Sequence, residues 1–225
     1  MTVAGDVIGV DESGKGEFFG PLVVAGLLAG DVDLAFLSEI GVRDSKRLTD
    51  KRVLELDERL RARFVCHVTV VTPEDYNRRY ETIRNLNIML ADCHAQTIAR
   101  TMKRAEERQL QVDLAISDKF GKTERLESAL ARAGCKLPVT QMVRGEAVPQ
   151  VAAASILARA EFVRRMRQMS AELGIELPKG ASAQVDVVGR KLVARLGLEV
   201  LNRVAKKHFK NFKRVSAVDL FSTQK

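Results

Sequence analysis

Acids recur where short apolar runs end. Val7-Ile8-Gly9-Val10 is followed by Asp11-Glu12, the run 112–117 by Asp118, and the run 139–143 by Arg144-Gly145-Glu146. Singly, such an acid is ordinary, because Asp opens turns well. If the runs are neighbouring core strands, however, their carboxylates converge, repel and raise one another's pKa. A hard divalent cation relieves that repulsion. An all-oxygen ligand set selects Mg²⁺ or Mn²⁺, with water completing an octahedron. Scattered turn acids are the competing reading, and the pattern alone leaves both open. His67, His94 and His208 share no ligand spacing with the acids, which speaks against a histidine-based zinc site.

Two other features bear on chemistry. Gly9 to Gly16 matches the phosphate-binding G-x-x-x-x-G-K pattern, but Gly16 stands where that loop needs Ser or Thr, and Asp11 and Glu12 would oppose a phosphate. A nucleotide-binding loop is therefore set aside. The segment 206–214 carries five Lys/Arg in nine positions, with Phe209 and Phe212 between them. It reads either as a solvated helix end or as a face for a phosphate backbone, through Lys206, Lys207 and Lys210.

The elements that must position these residues follow from periodicity. Residues 7–10 and 21–28 read as strands close enough to form a hairpin. Thr49 caps a predicted helix to about residue 63, with Val53, Leu56 and Leu60 on one face. Residues 64–71 read as a β-branched strand, and Pro73-Glu74-Asp75 opens a short helix. A long amphipathic helix covers 85–109, strands cover 112–117 and 139–143, and helices cover 124–133 and 151–173. Two more helices are expected over 182–196 and 199–212. Strands, then alternation, then helices predict an α/β fold: a mixed sheet flanked by helices, with a helical C-terminal part. Leu177-Pro178-Lys179-Gly180 is the one plausible seam. The expectation is a catalytic domain over 1–176, with a helical extension over 177–225 packed on it.

Composition narrows the class. The 225 residues carry 37 Lys+Arg and 29 Asp+Glu, a formal net charge of +8, and 46% are hydrophobic. That content fills an ordinary core and excludes wholesale disorder. No apolar run approaches the ~18 residues of a membrane helix, and the N-terminus does not read as a secretory signal. Cys66, Cys93 and Cys135 are odd in number and form no Cys-x-x-Cys pair, which fits buried thiols in a reducing cytoplasm.

The motifs, taken together, resemble type 2 ribonucleases H, the HII/HIII group. Asp11-Glu12-Ser13-Gly14-Lys15-Gly16, running on to Gly20-Pro21, resembles that group's opening motif. Asp44-Ser45-Lys46-Arg47-Leu48 is similar to its D-S-K-x-L, and Asn85-Leu86-Asn87-Ile88 to its Asn-containing helix start. Ala115-Ile116-Ser117-Asp118 resembles its third acidic strand. Gly145-Glu146, followed by Ala152-Ala153-Ala154-Ser155-Ile156-Leu157-Ala158-Arg159, is similar to its fourth acid and the helix after it. Gly16-Glu17-Phe18-Phe19-Gly20 and the fourth acid, Glu146, tilt the resemblance toward ribonuclease HIII. The chain departs from HIII in leaving no room for the N-terminal substrate-binding domain. It departs from HII in lacking a Tyr after Gly180, which bears on cleavage at single embedded ribonucleotides.

The resemblance implies a ribonuclease H-like fold and a Mg²⁺- or Mn²⁺-dependent endonuclease that cuts the RNA strand of RNA/DNA hybrids by a two-metal mechanism, leaving 3′-hydroxyl and 5′-phosphate ends. It makes Asp11, Glu12, Asp118 and Glu146 catalytic, the first three of them as metal ligands. Gly14-Lys15-Gly16 would read the 2′-hydroxyl, and Ser45 and Lys46 would meet phosphate. The expected protein is a cytoplasmic monomer with no membrane association. An HII-like enzyme cutting at single ribonucleotides and a non-catalytic nucleic-acid binder are the alternatives.

Overall fold

The structure, a computed structural model, describes residues 5–43 and 45–217. Its sheet has the order β3-β2-β1-β4-β5. The strands are β1 (Val7–Ser13), β2 (Leu22–Ala29), β3 (Val65–Val71), β4 (Leu114–Asp118) and β5 (Val139–Met142). β1 and β2 form the expected antiparallel pair, in register from Val7↔Ala29 to Ser13↔Val23. β1 runs parallel to β4, from Val7↔Leu114 to Val10↔Ser117, and β4 runs parallel to β5, from Ala115↔Val139 to Asp118↔Met142. Parallel neighbours put their C-terminal ends on one edge of the sheet, where ligands gather in open α/β sheets.

The helices are α1 (Leu34–Glu39), α2 (Asp50–Arg63), α3 (Pro73–Ile83), α4 (Leu86–Glu106), α5 (Thr123–Arg132), α6 (Pro149–Leu173), α7 (Ala183–Leu196), α8 (Val200–Val204) and α9 (Lys210–Ser216). Local chemistry sets several starts. The Thr49 side chain accepts from Arg52 N, Thr72 accepts from Asp75 N, and the Asn85 side chain accepts from the amides of Asn87 and Ile88. α1 is too short for helical periodicity and has no counterpart in the sequence expectations. The helix expected over 199–212 is two helices, because Ala205 is extended (φ −131°, ψ 152°) and forms an antiparallel bridge with Phe19.

The described chain divides into two compact units. The first comprises 5–13, 23–69 and 85–161 and contains the acids. Its core includes Val7, Ile116, Val148 and Val151, with Leu114 and Met142 packed against them. Ala152, Ala153 and Ala154 of α6 are buried, and their small side chains permit close helix packing. The second unit comprises 14–22, 70–84 and 162–217. In it, Phe18 packs on Phe19 and Phe209, with ring centroids 4.8 and 6.3 Å apart. Asp186 binds Arg214 at 2.5 Å and Asn211 at 2.6 Å, tying α7 to α9.

Candidate active site

β1 and β4 pair as far as Val10↔Ser117, so Asp11 and Asp118 are the next residues on adjacent parallel strands. Both therefore leave the same edge of the sheet. Beyond β5 the chain turns through Arg144, held in the left-handed region at φ 56°, into the turn Gly145–Ala147. That turn folds back on β4: the Gly145 amide donates to Asp118 Oδ1 at 2.8 Å. A Cβ on Gly145 would lie 2.9 Å from Asp118 Cα, so glycine is what lets the two backbones approach. Glu146 follows immediately, partly buried.

Electrostatics link three of the acids. Burial first, then the charge of Glu12 and, more weakly, that of Asp118, raise the Asp11 carboxyl well above the usual carboxylate range. The Glu12 amide, donating to Asp11 Oδ1 at 2.8 Å, and the Lys46 ammonium pull the other way. Successive strand residues face opposite sides of a sheet, and Glu12 reaches α4, where its Oε2 lies 3.1 Å from His94 Nε2. His94 is fully buried, and its Nδ1 lies 3.0 Å from Ser117 Oγ. Ser117 Oγ in turn donates to the Asp118 carbonyl at 2.9 Å. A Glu12–His94–Ser117 chain thus ties β1 to the strand that carries Asp118. Nothing in the spacing of His94 from the acids signals this contact; its helical position places it on the buried stripe of α4 with Leu90 and Ile98.

The donor set suits a hard divalent cation. It is all oxygen, and one oxygen each of Asp11 and Asp118 is held by a backbone amide. Among the described residues, no group of three or more His, Cys, Asp and Glu is drawn together as a metal site, so the ligand set belongs to the proposal below.

The remaining expected site residues fall as follows. Lys46 is exposed, and its charge acts on Asp11. Ser45 is buried, and its carbonyl accepts from Arg159, which also binds Asp50 Oδ1 at 3.0 Å. Asp44 lies outside the described residues. In the second unit Gly14 turns at φ +87°, and a Cβ there would lie 2.1 Å from the Pro21 carbonyl oxygen. Lys15 is partly buried, and Gly16 is exposed with open space above it. Lys210 is exposed, and Lys207 lies 3.8 Å from Glu81. Lys206 requires a correction. Expected on a DNA-facing surface, it is 0% exposed, and its ammonium is spent on the carbonyls of Glu17 and Gly20.

The family model described as Ribonuclease HII matches residues 8–212. The chain belongs to the ribonuclease HII family. It is a ribonuclease H, and its mixed sheet flanked by helices is the ribonuclease H-like fold. Within the family it is similar to Ribonuclease HIII of Chlamydia caviae, 43% identical over 210 residues, covering 92% of this chain and 69% of that protein. The Chlamydia felis Ribonuclease HIII is 42% identical over the same shares. Among solved structures, the Bst-RNase HIII crystal structure in complex with Mn²⁺ superposes with a TM-score of 0.88 at 31% identity, covering 96% of this chain and 70% of that one. The tilt toward HIII read from Gly16-Glu17-Phe18-Phe19-Gly20 and Glu146 agrees with these names.

Proposed function

We propose that this ribonuclease H is a divalent-metal-dependent endonuclease that cuts the RNA strand of RNA/DNA hybrids, leaving 3′-hydroxyl and 5′-phosphate ends. The observation that carries the reading is the placement of Asp11 and Asp118 where the paired parallel stretches of β1 and β4 end, with the Asp11 carboxyl destabilised first by burial and then by the charges of Glu12 and Asp118. Asp11, Glu12 and Asp118 would hold the ions, Mg²⁺ or Mn²⁺, and Glu146 joins as the fourth acid. When bound, such ions lower the pKa of the attacking water and stabilise the leaving 3′-oxygen. The chain's own residues preorganise that arrangement. The Glu12 and Gly145 amides fix one oxygen each of Asp11 and Asp118, and His94 fixes Glu12. The Mn²⁺ complex of Bst-RNase HIII supports a divalent ion of this kind.

Selectivity for RNA needs a reader of the 2′-hydroxyl. Gly14-Lys15-Gly16 suits it: the chain reaches this turn one residue after β1's Glu12-Ser13 step, and Gly16 leaves its backbone uncovered. Lys15 and Lys46 would hold phosphates, and the exposed Lys210, with Lys207, would contact the DNA strand. The test is a hybrid with an end-labelled RNA strand, beside a duplex holding one ribonucleotide, incubated across Mg²⁺ and Mn²⁺. Metal-dependent internal cuts in the hybrid are expected. Salt-sensitive binding with no cleavage under either metal would refute the reading in favour of a pure binder.

A further inference from the structure

Lys206 sits in the second unit with no solvent exposure. Its Nζ donates to the Glu17 carbonyl at 2.9 Å and to the Gly20 carbonyl at 2.6 Å, and lies 5.6 Å from the centroid of the Tyr76 ring. The backbone repeats the same attachment. Lys206 N donates to the Phe18 carbonyl at 2.9 Å, Gly20 N donates to the Val204 carbonyl at 2.9 Å, and Phe19 bridges Ala205. On its other side, Phe18 N donates to the Gly180 carbonyl at 3.0 Å, and the Glu17 carboxylate accepts from Gly180 N. The 204–206 segment is itself anchored, because Asn77 donates to the Ala205 carbonyl and accepts from Lys207 N, both at 2.9 Å.

A methionine would fill the same space without the cost of desolvating a charge. What the lysine supplies and a methionine cannot is simultaneous donation to two carbonyls at either end of the Glu17–Gly20 stretch. That stretch continues directly from Gly14-Lys15-Gly16. The turn thus begins where β1 ends, at Ser13, and is bolted down one residue after Gly16, at Glu17.

We propose that Lys206 is a positioning residue for hybrid binding: by holding the Glu17 and Gly20 carbonyls, it fixes the Gly14-Lys15-Gly16 turn in the conformation that meets the RNA sugar. This rests on the proposed role of that turn in reading the hybrid. The groups facing the ammonium are the Glu17 charge, the Tyr76 ring and the nearby His208. Burial pushes the ammonium down to about 7, against the pull of Glu17.

The test compares the full chain with Lys206→Met in Mn²⁺-dependent hybrid cleavage, together with hydrogen exchange at the amides of Phe18 and Gly20. Loss of the charged hydrogen bonds is expected to raise KM for the hybrid about tenfold while kcat stays within about twofold and the Mn²⁺ activation constant is unchanged. The two amides should lose protection together. A folded variant with unchanged KM, or with both amides still protected, overturns the proposal. If Lys206→Met does not fold, Lys206→Gln, whose amide is too short to reach both carbonyls, is read by the same two measurements, and a folded variant with unchanged KM or with both amides still protected overturns the proposal. If the wild type cuts no hybrid under any metal, the reading of the turn fails instead, and exchange at Phe18 and Gly20 still reports whether Lys206 holds the segment.

Discussion

Replacing Asp11 by Asn should make the metal-free protein more stable while abolishing cleavage. The substitution removes a buried charge that faces Glu12 first and Asp118 second; unit charges ~5 Å apart at an effective dielectric of ~20 repel by about 3 kcal/mol. Partial exposure of Asp118 screens part of this, so a net gain of ~1–2 kcal/mol is expected. Asn preserves the shape, and its Oδ1 still accepts from the Glu12 amide. For a domain of this size, 1 kcal/mol moves Tm by about 2–4 °C, so calorimetry in EDTA should show the variant melting about 2–8 °C higher. The difference should vanish in acid, where Asp11 is protonated in both states, and open as pH climbs from the ordinary 3.8 through the raised native value. Manganese should invert the order: at 100 times its Kd, a bound ion adds about 2.7 kcal/mol to the wild type and much less to the variant. A variant less stable than wild type in EDTA, or one stabilised equally by Mn²⁺, would refute the claim that Asp11 sits in a repulsive carboxylate group built for a cation.

Three other outcomes follow from the same geometry. His94→Ala should lower kcat/KM about 10–100-fold by releasing Glu12, with partial recovery in His94→Gln, whose amide still donates; equal activity of both variants in steady-state assays would count against the positioning. The unfolding free energy of wild type relative to Lys206→Met should rise with pH between about 7 and 10.5, because there the unfolded lysine keeps a proton that the buried one has lost. Urea melts should give a slope of about 1.4 kcal/mol per pH unit in that window and none below it. Removing both Lys207 and Lys210 should reduce the slope of log affinity against log salt by about 2, measured on long hybrids, with kcat unchanged.

The parts of the site written in local pattern were readable from the sequence. The β1–β2 hairpin follows from two apolar runs separated by a glycine-rich turn. The acids at strand ends were visible because Asp118 closes a clear apolar run. What pattern could not give was contact across the sheet. His94 looks like any residue on the inner stripe of a long helix until α4 lies over β1 and β4, where it meets Glu12 and Ser117. Lys206 belongs to a dense run of positive charge, and such a run reads as solvated. The bridge between Phe19 and Ala205, with the Lys206 N bond to the Phe18 carbonyl and the Asn77 bonds on either side, turns this one lysine inward. The same bridge breaks the helix expected over 199–212, which periodicity alone extends through Ala205. Gly145 illustrates the converse: in the sequence it stands only as the neighbour of Glu146, whereas its own amide positions Asp118.

Anomalous diffraction from crystals soaked in Mn²⁺ bears most directly on the site. The account predicts density for at least one ion, with carboxylate oxygens of both Asp11 and Asp118 about 2–2.5 Å away and Glu12 or Glu146 closing around it. Saturating Mn²⁺ with no density beside Asp11 and Asp118, in crystals of protein that still cuts hybrids, would contradict it.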